Sequence, residues 1–291
     1  LFEVDYLQDT PNPSCILYRK LSGHSKSIIT AILSSTGDYL WTLDTKGSFR
    51  IWNTKTVELV SNFDTTMNRI NCASRVGSSM WLGTMECIQI RNEQTGDLIH
   101  QINETPTFNI AAVNSQFWTG NEKGGINIYN AETFEKETVS LEGFVVLHMS
   151  QIGSTVWGSC TDRRIRIWDI ETRECKEEIE VSDLGRLNSF TGIGDRVWGA
   201  FDNATIVVWD ANTLEKLACL DAHHSGKVFG SAAVGDNVWT YAWDGQIHVY
   251  KADDFEHVDS LPMYHNDAIG CIVSAPDEKF GCQRVFTISW E

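Results

Sequence analysis

Two short runs of apolar and β-branched residues recur along this chain, separated by polar turns. The first run centres on one aromatic: "YLWTLD" (Trp41), "SMWLGT" (Trp81), "QFWTGN" (Trp118), "TVWGSC" (Trp157), "RVWGAF" (Trp198), "NVWTYA" (Trp239) and "RVFTIS" (Phe286). Successive spacings are 40, 37, 39, 41, 41 and 47 residues. The second run follows the first six: "SFRIWN", "CIQIRN", "GINIYN", "RIRIWD", "TIVVWD" and "QIHVYK", ending at Asn53, Asn92, Asn130, Asp169, Asp210 and Lys251. Both runs have strand chemistry. A Gly suited to a tight hairpin precedes most of the first runs, as in "STGD", "VGSS", "IGST", "IGDR" and "VGDN". "NTKT", "DIET" and "DANT" open another turn after the second run. Each unit therefore predicts four short antiparallel strands, a to d, with the aromatic beginning strand b and the second run forming strand c.

A four-strand unit of this length ending in Trp-Asp resembles the WD40 repeat, over nearly the whole chain. The resemblance implies an all-β fold: a seven-bladed β-propeller of four-stranded antiparallel blades, as a single domain over 1–291 cut from a longer protein. The seventh unit supplies only "AIGCIV" (268–273) and "RVFTIS" (284–289). Its other strands are expected from the N-terminus, "LFEV" (1–4) as c and "CILYRKL" (15–21) as d, closing the last blade and removing open edges. Many WD40 blades pin their strands with a buried His, Ser, Asp and Trp. Here Gly-His occurs at Gly23-His24, with looser echoes at His223/His224 and His265, and the expected Asp is filled at Asp162 and Asp244 but is Lys46, Met85 and Asn203 elsewhere. A strand-b Trp stands in six units instead, large enough to replace that polar set. This pattern is similar to the propellers attached to some Rho exchange factors, Roco-type kinases and inositol-polyphosphate phosphatases.

Composition narrows the partners. Net charge is −16, from 23 basic and 39 acidic residues. Nucleic acid and anionic membranes are disfavoured, because counterion release needs Lys and Arg. A basic protein partner fits this charge, and so does solubility alone. No window approaches 18 consecutive apolar residues, so no membrane-crossing helix is expected. The eight cysteines show no paired spacing and several sit in apolar runs, which argues for a reducing, cytoplasmic setting.

No catalytic, metal-binding or phosphate-loop motif is present, and no cofactor is expected. The carboxylates recur at turn positions such as Asp38, Asp195 and Asp236, which marks them as architectural. The expected function is a non-enzymatic scaffold that binds proteins or peptides, including other domains of its parent chain, within an intracellular signalling or regulatory protein. The alternatives are a regulatory propeller controlling a catalytic domain of exchange-factor, kinase or phosphatase type, and a phosphopeptide reader. Binding residues should break the repeat on the face formed by the d–a and b–c loops, here called the top. Trp243, Phe201, His223, His224, Tyr264 and His265 do so, and Arg163 adds a cation from the cluster Arg163, Arg164 and Arg166. Arg69, Arg186, Lys46 and Lys227 are placed nearby. Trp243 is the principal candidate, since an exposed Trp in a loop does nothing for the core.

Overall fold

The structure, a computed structural model, describes residues 2–6, 16–21, 23–24, 26–63, 69–104, 107, 109–121, 124–140, 143–261, 265, 267–277 and 282–289. At 2–6 and 16–20 the backbone alone is described. Among these residues, 28 strands pair into seven four-stranded antiparallel sheets, the blades of an all-β propeller. Sheets 1 to 6 each follow chain order a–b–c–d; sheet 5, for example, is Leu187–Ile193, Arg196–Phe201, Thr205–Asp210 and Lys216–Asp221. Sheet 7 joins the two ends of the chain: Ile269–Asp277 and Cys282–Ser289 pair with Phe2–Tyr6, which pairs in turn with Ile16–Lys20. No helix of the described residues is long and apolar enough to cross a membrane.

The chain divides into two compact units, 1–31 with 186–291, and 32–185. Sheets 5 to 7 belong to the first and sheets 2 to 4 to the second.

The Asn or Asp ending strand c has a local task in each of sheets 1 to 5. Its side-chain oxygen accepts the backbone N–H groups two and three residues on, as Asp169 Oδ1 does from Glu171 (2.9 Å) and Thr172 (2.8 Å). Asn53, Asn92, Asn130 and Asp210 do the same. Such an Asx turn lets the chain reverse immediately. Four residues beyond each cap the backbone turns left-handed, at Val57, Gly96, Phe134, Arg173 and Leu214. The amide there bonds back to the carbonyl of the capping residue.

The strand-b Trp is the larger structural device. Trp41, Trp81, Trp118, Trp157, Trp198 and Trp239 are all fully buried, and four of them visibly reach the next sheet. Trp41 Nε1 donates to the Glu93 carbonyl at 2.7 Å. Trp81 stacks on Phe117 at 3.7 Å and meets Tyr129 and Phe134. The Arg173 guanidinium lies 5.5 Å from the Trp118 ring, and Trp198 packs on Tyr250 and Phe255. The indoles thus fill the seams between neighbouring sheets, with aromatic partners at Trp81 and Trp198.

The polar set survives further than the sequence shows. In sheet 1 Trp52 Nε1 donates to Thr42 Oγ1 at 2.9 Å. Asp44, two residues before the Lys46 slot, is buried and accepts the amides of Lys46 and Ser48. Sheet 6 holds His224 against Asp244 and Thr240, and sheet 7 holds His265 against Thr287.

Within sheets 4 and 5 the strand-c indole packs directly against a strand-b glycine. A Cβ on Gly158 would come within 2.5 Å of Trp168, and one on Gly199 within 2.6 Å of Trp209. Gly158→Ala is therefore expected to lower unfolding free energy by about 1–3 kcal/mol through overpacking. Urea unfolding monitored by tryptophan fluorescence checks this, and an unchanged midpoint contradicts the tight seat.

Candidate interaction site

Strand a begins with the same irregularity in sheets 2, 4, 5, 6 and 7. The register slips so that the second residue has no partner on strand b: Asn71, Leu147, Asn188, Phe229 and Gly270. A β-bulge of this kind re-aims one side chain out of the ladder. Three of these residues, Asn188, Phe229 and Gly270, line a cavity of about 400 Å³ together with Ile29, Arg186, Asp202 and Lys227. Every lining residue belongs to the unit formed by 1–31 and 186–291. Gly270 occupies the bulge where its neighbours carry Asn and Phe, so its missing side chain helps leave the space open.

Arg186 and Lys227 immediately precede the strands of sheets 5 and 6. Both are exposed, and neither has an ion-pair partner among the described residues. Asp202 Oδ1 accepts the Arg186 backbone N–H at 2.9 Å, and Asn188 Nδ2 donates to the Val228 carbonyl at 2.7 Å.

Trp243 stands at the edge of this group, 56% exposed, with its ring 5.9 Å from Phe229. Its position gives the observation weight. In sheet 4 the same loop position is Thr161, whose hydroxyl accepts the Val145 N–H at 2.9 Å; in sheet 5 it is Asp202, which caps Arg186. Trp243 keeps the backbone bond, donating its N–H to the Lys227 carbonyl at 3.0 Å, but an indole has no acceptor to offer in return. The side-chain acceptor that caps this turn in sheets 4 and 5 is replaced here by an aromatic ring exposed to solvent.

Other expected site residues have structural tasks instead. Phe201 is fully buried against Trp209 and pairs with Leu187, because the last residue of strand b points into the sheet stack. His224 is buried: Nδ1 lies 3.1 Å from Asp244 Oδ1, and Nε2 lies 3.0 Å from Thr240 Oγ1. Burial holds the His224 pKa below its ordinary value, partly offset by the Asp244 carboxylate. His265 is also buried, on Thr287 at 2.8 Å. Both imidazoles tie the loop before strand a to a hydroxyl on strand b. Tyr264 lies outside the described residues. His223 is exposed and accompanies Trp243 on the same side of sheet 6, with its ring 4.4 Å from His257.

Arg164 and Arg166 are framework, and Arg163 stands at the rim. Arg166 places two nitrogens on Asp162 at 2.7 and 3.0 Å and a third on Glu178 at 2.8 Å, beneath the ring of Phe144. The Arg166 guanidinium pulls the Asp162 carboxyl below the usual range. Arg164 takes the other oxygen of Glu178, and Arg163 donates to the Ser182 carbonyl at 3.2 Å. Of the cations placed near the top, Arg186 and Lys227 alone line the cavity. Ile29, Asn188, Phe229 and Gly270 escaped the sequence reading; the signal available for them was their shared second position in strand a. Among the described residues no three His, Cys, Asp or Glu side chains could hold a metal ion.

No family model matches the chain. It is 24% identical over 179 residues to zinc finger CCCH domain-containing protein 62 of Arabidopsis thaliana, covering 56% of this chain and 41% of that protein. It is 21% identical over 213 residues to the Rho GTPase-activating protein gacL of Dictyostelium discoideum, covering 58% and 29%. The chain thus spans less than half the length of these curated relatives. Among solved structures, the computationally designed Ika8 protein matches with a TM-score of 0.70 at 15% identity, over 92% of this chain and 98% of that one, a likeness of fold.

Arg166→Ala is expected to cost about 2–3 kcal/mol, since it leaves Asp162 and Glu178 without their shared cation. Arg163→Ala should stay within about 0.5 kcal/mol. Chemical denaturation of both variants tests this, and equal costs would contradict the division between framework and rim.

Proposed function

We propose that this chain is a WD40-type, non-enzymatic docking module that captures protein or peptide segments at the cavity lined by Arg186, Asn188, Asp202, Lys227, Phe229 and Gly270, with Trp243 as its aromatic anchor. The observation that carries this reading is the exposed Trp243 where sheets 4 and 5 place a capping Thr or Asp. Aromatic anchors beside a preformed concavity are where binding energy concentrates. The sheets hold the surrounding loops in place, so a partner meets a surface already ordered, and little entropy is lost on its side.

Arg186 and Lys227 favour a second, narrower reading, in which the captured segment carries an acidic or phosphorylated residue. That reading assigns anions to the cavity, and the basic partners suggested by the net charge belong to the acidic perimeter. The match to part of a Rho GTPase-activating protein supports placing the module in a cytoplasmic signalling protein, where it would recruit partners or hold another domain of its chain.

An array of short peptides with and without phosphate, probed with the purified chain, tests both readings. Trp243→Ala and Gly270→Phe should each reduce retained signal at least tenfold while thermal unfolding stays within a few degrees, and Leu217→Ser on an outer strand should leave it unchanged. An identical binding profile for Trp243→Ala overturns the proposal.

A further inference from the structure

Two outer strands lack the charge that the others carry. Strand d is the last strand of every sheet, with one side of its backbone unpaired among the described residues. Such an edge is prone to association, and charged side chains commonly guard it. Sheets 3 to 7 follow that rule: Lys136–Ser140, Cys175–Glu180, Lys216–Asp221, His257–Leu261 and Ile16–Lys20 each contain at least one Asp, Glu, Lys or Arg. Leu59–Phe63 of sheet 1 (LVSNF) and Leu98–Ile102 of sheet 2 (LIHQI) contain none. They present apolar side chains instead, with Leu59 46%, Val60 47%, and Leu98 and Ile99 each 50% exposed. Met85, Leu217 and Trp243 are the other large apolar side chains exposed among the described residues, so the apolar surface is concentrated on these two neighbouring sheets.

The register accounts for two exposed residues in a row on each strand. Leu59 pairs with Trp52 and Ser61 with Ile51, which leaves Val60 without a partner; Leu98 pairs with Arg91 and His100 with Ile90, which leaves Ile99 without one. Each bulge breaks the alternation of the pleat, so both members of the pair stay exposed. The two strands also adjoin. A Cβ on Gly96, in the turn that leads to Leu98, would lie 2.5 Å from the ring of Phe63, the last residue of the sheet 1 strand. Both strands belong to the unit 32–185. An acidic residue immediately precedes each apolar pair, Glu58 and Asp97. Both are exposed, and neither is in an ion pair among the described residues.

We propose that these outer strands dock a basic amphipathic segment of a partner protein, whose apolar stripe covers Leu59, Val60, Leu98 and Ile99 and whose bordering Lys or Arg side chains meet Glu58 and Asp97. Charge selects this occupant. In a symmetric contact with a second copy the same patch meets itself. It would set Glu58 and Asp97 against their own counterparts and add a further net charge of −16. An acidic segment meets the same repulsion, whereas Lys or Arg beside the apolar stripe is attracted by both carboxylates and by the field of the whole chain. The bulges blunt the backbone edge, so side-chain contact rather than an added strand carries the docking. Apolar groups that leave water on both partners supply the affinity, and the flanking charges supply the choice of partner. The cavity beside Trp243 belongs to the other unit, so this surface is independent of the docking reading given above.

Fluorescence anisotropy with the full chain tests this, using a labelled helical peptide of leucine and lysine whose leucines form one stripe. Two control peptides replace its lysines by glutamate or its leucines by serine, and both should bind at least tenfold more weakly. Leu98→Ser combined with Ile99→Thr leaves the charge unchanged and should weaken the leucine–lysine peptide at least tenfold, as should Leu59→Ser combined with Val60→Thr in the other sheet. Glu58→Gln with Asp97→Asn should weaken it at least threefold, and Trp243→Ala should bind as the parent does. Thermal unfolding within a few degrees of the parent checks that these exposed substitutions leave the fold intact. Parent-like binding by both apolar double variants, or equal binding of the serine peptide, would reduce the effect to net charge and overturn the proposal. Sedimentation of the parent as a dimer that the apolar variants dissociate would put a second copy on these strands and overturn it as well.

Discussion

Contact between the strand-b indole of one sheet and the aromatic or turn residues of the next is the interaction on which the rest of this molecule depends. A four-stranded sheet cannot bury both faces alone, and blades that carry a full His–Ser–Asp–Trp set add hydrogen bonds to hold them. Here Trp41, Trp81, Trp118 and Trp198 bridge directly to the following sheet, by a hydrogen bond, by ring stacking or under a guanidinium. Each indole removes a large apolar area from water, worth several kcal/mol at about 25 cal/mol per Å². That is enough for polar residues to be dropped from some sheets without losing the stack.

Once the seams are fixed, loop chemistry is released from structural duty. The bulge at the start of strand a is a backbone feature shared by most sheets, yet its side chain varies from Asn to Leu to Phe to Gly. Where the small member, Gly270, meets the larger Asn188 and Phe229, a cavity results. Trp243 continues this division of labour, replacing a capping residue with an exposed aromatic ring. The module would thus be rigid in its strands and variable at its bulges and b–c loops.

Much of this was legible in the chain. The spacing of the aromatics located strand b in all seven sheets, and the apolar–polar alternation located strand c, since a two-residue period follows from the pleat itself. Pairing of the terminal strands with Cys282–Ser289 followed from counting what the last unit lacked. Side-chain direction was harder. Phe201 looked like a loop residue because it ends its strand, but the last strand-b position still points inward. His224 and His265 stood among the candidate binding residues, and what buries them was hard to see: their partners Thr240 and Thr287 lie 16 and 22 residues away. Trp243 stood out as an exposed aromatic, which it is, because a residue that breaks a repeat is visible without any structure.

The claim that strand-b indoles weld neighbouring sheets is tested most directly by a double-mutant cycle between Trp81 and Phe134, which lie in successive sheets with ring centroids 6.0 Å apart. Trp81→Ala should cost about 3–5 kcal/mol in equilibrium unfolding. Combined with Phe134→Ala, it should show a coupling of about 0.5–1.5 kcal/mol. Strict additivity of the two losses would show that the rings stabilise their own sheets separately, and would contradict the account.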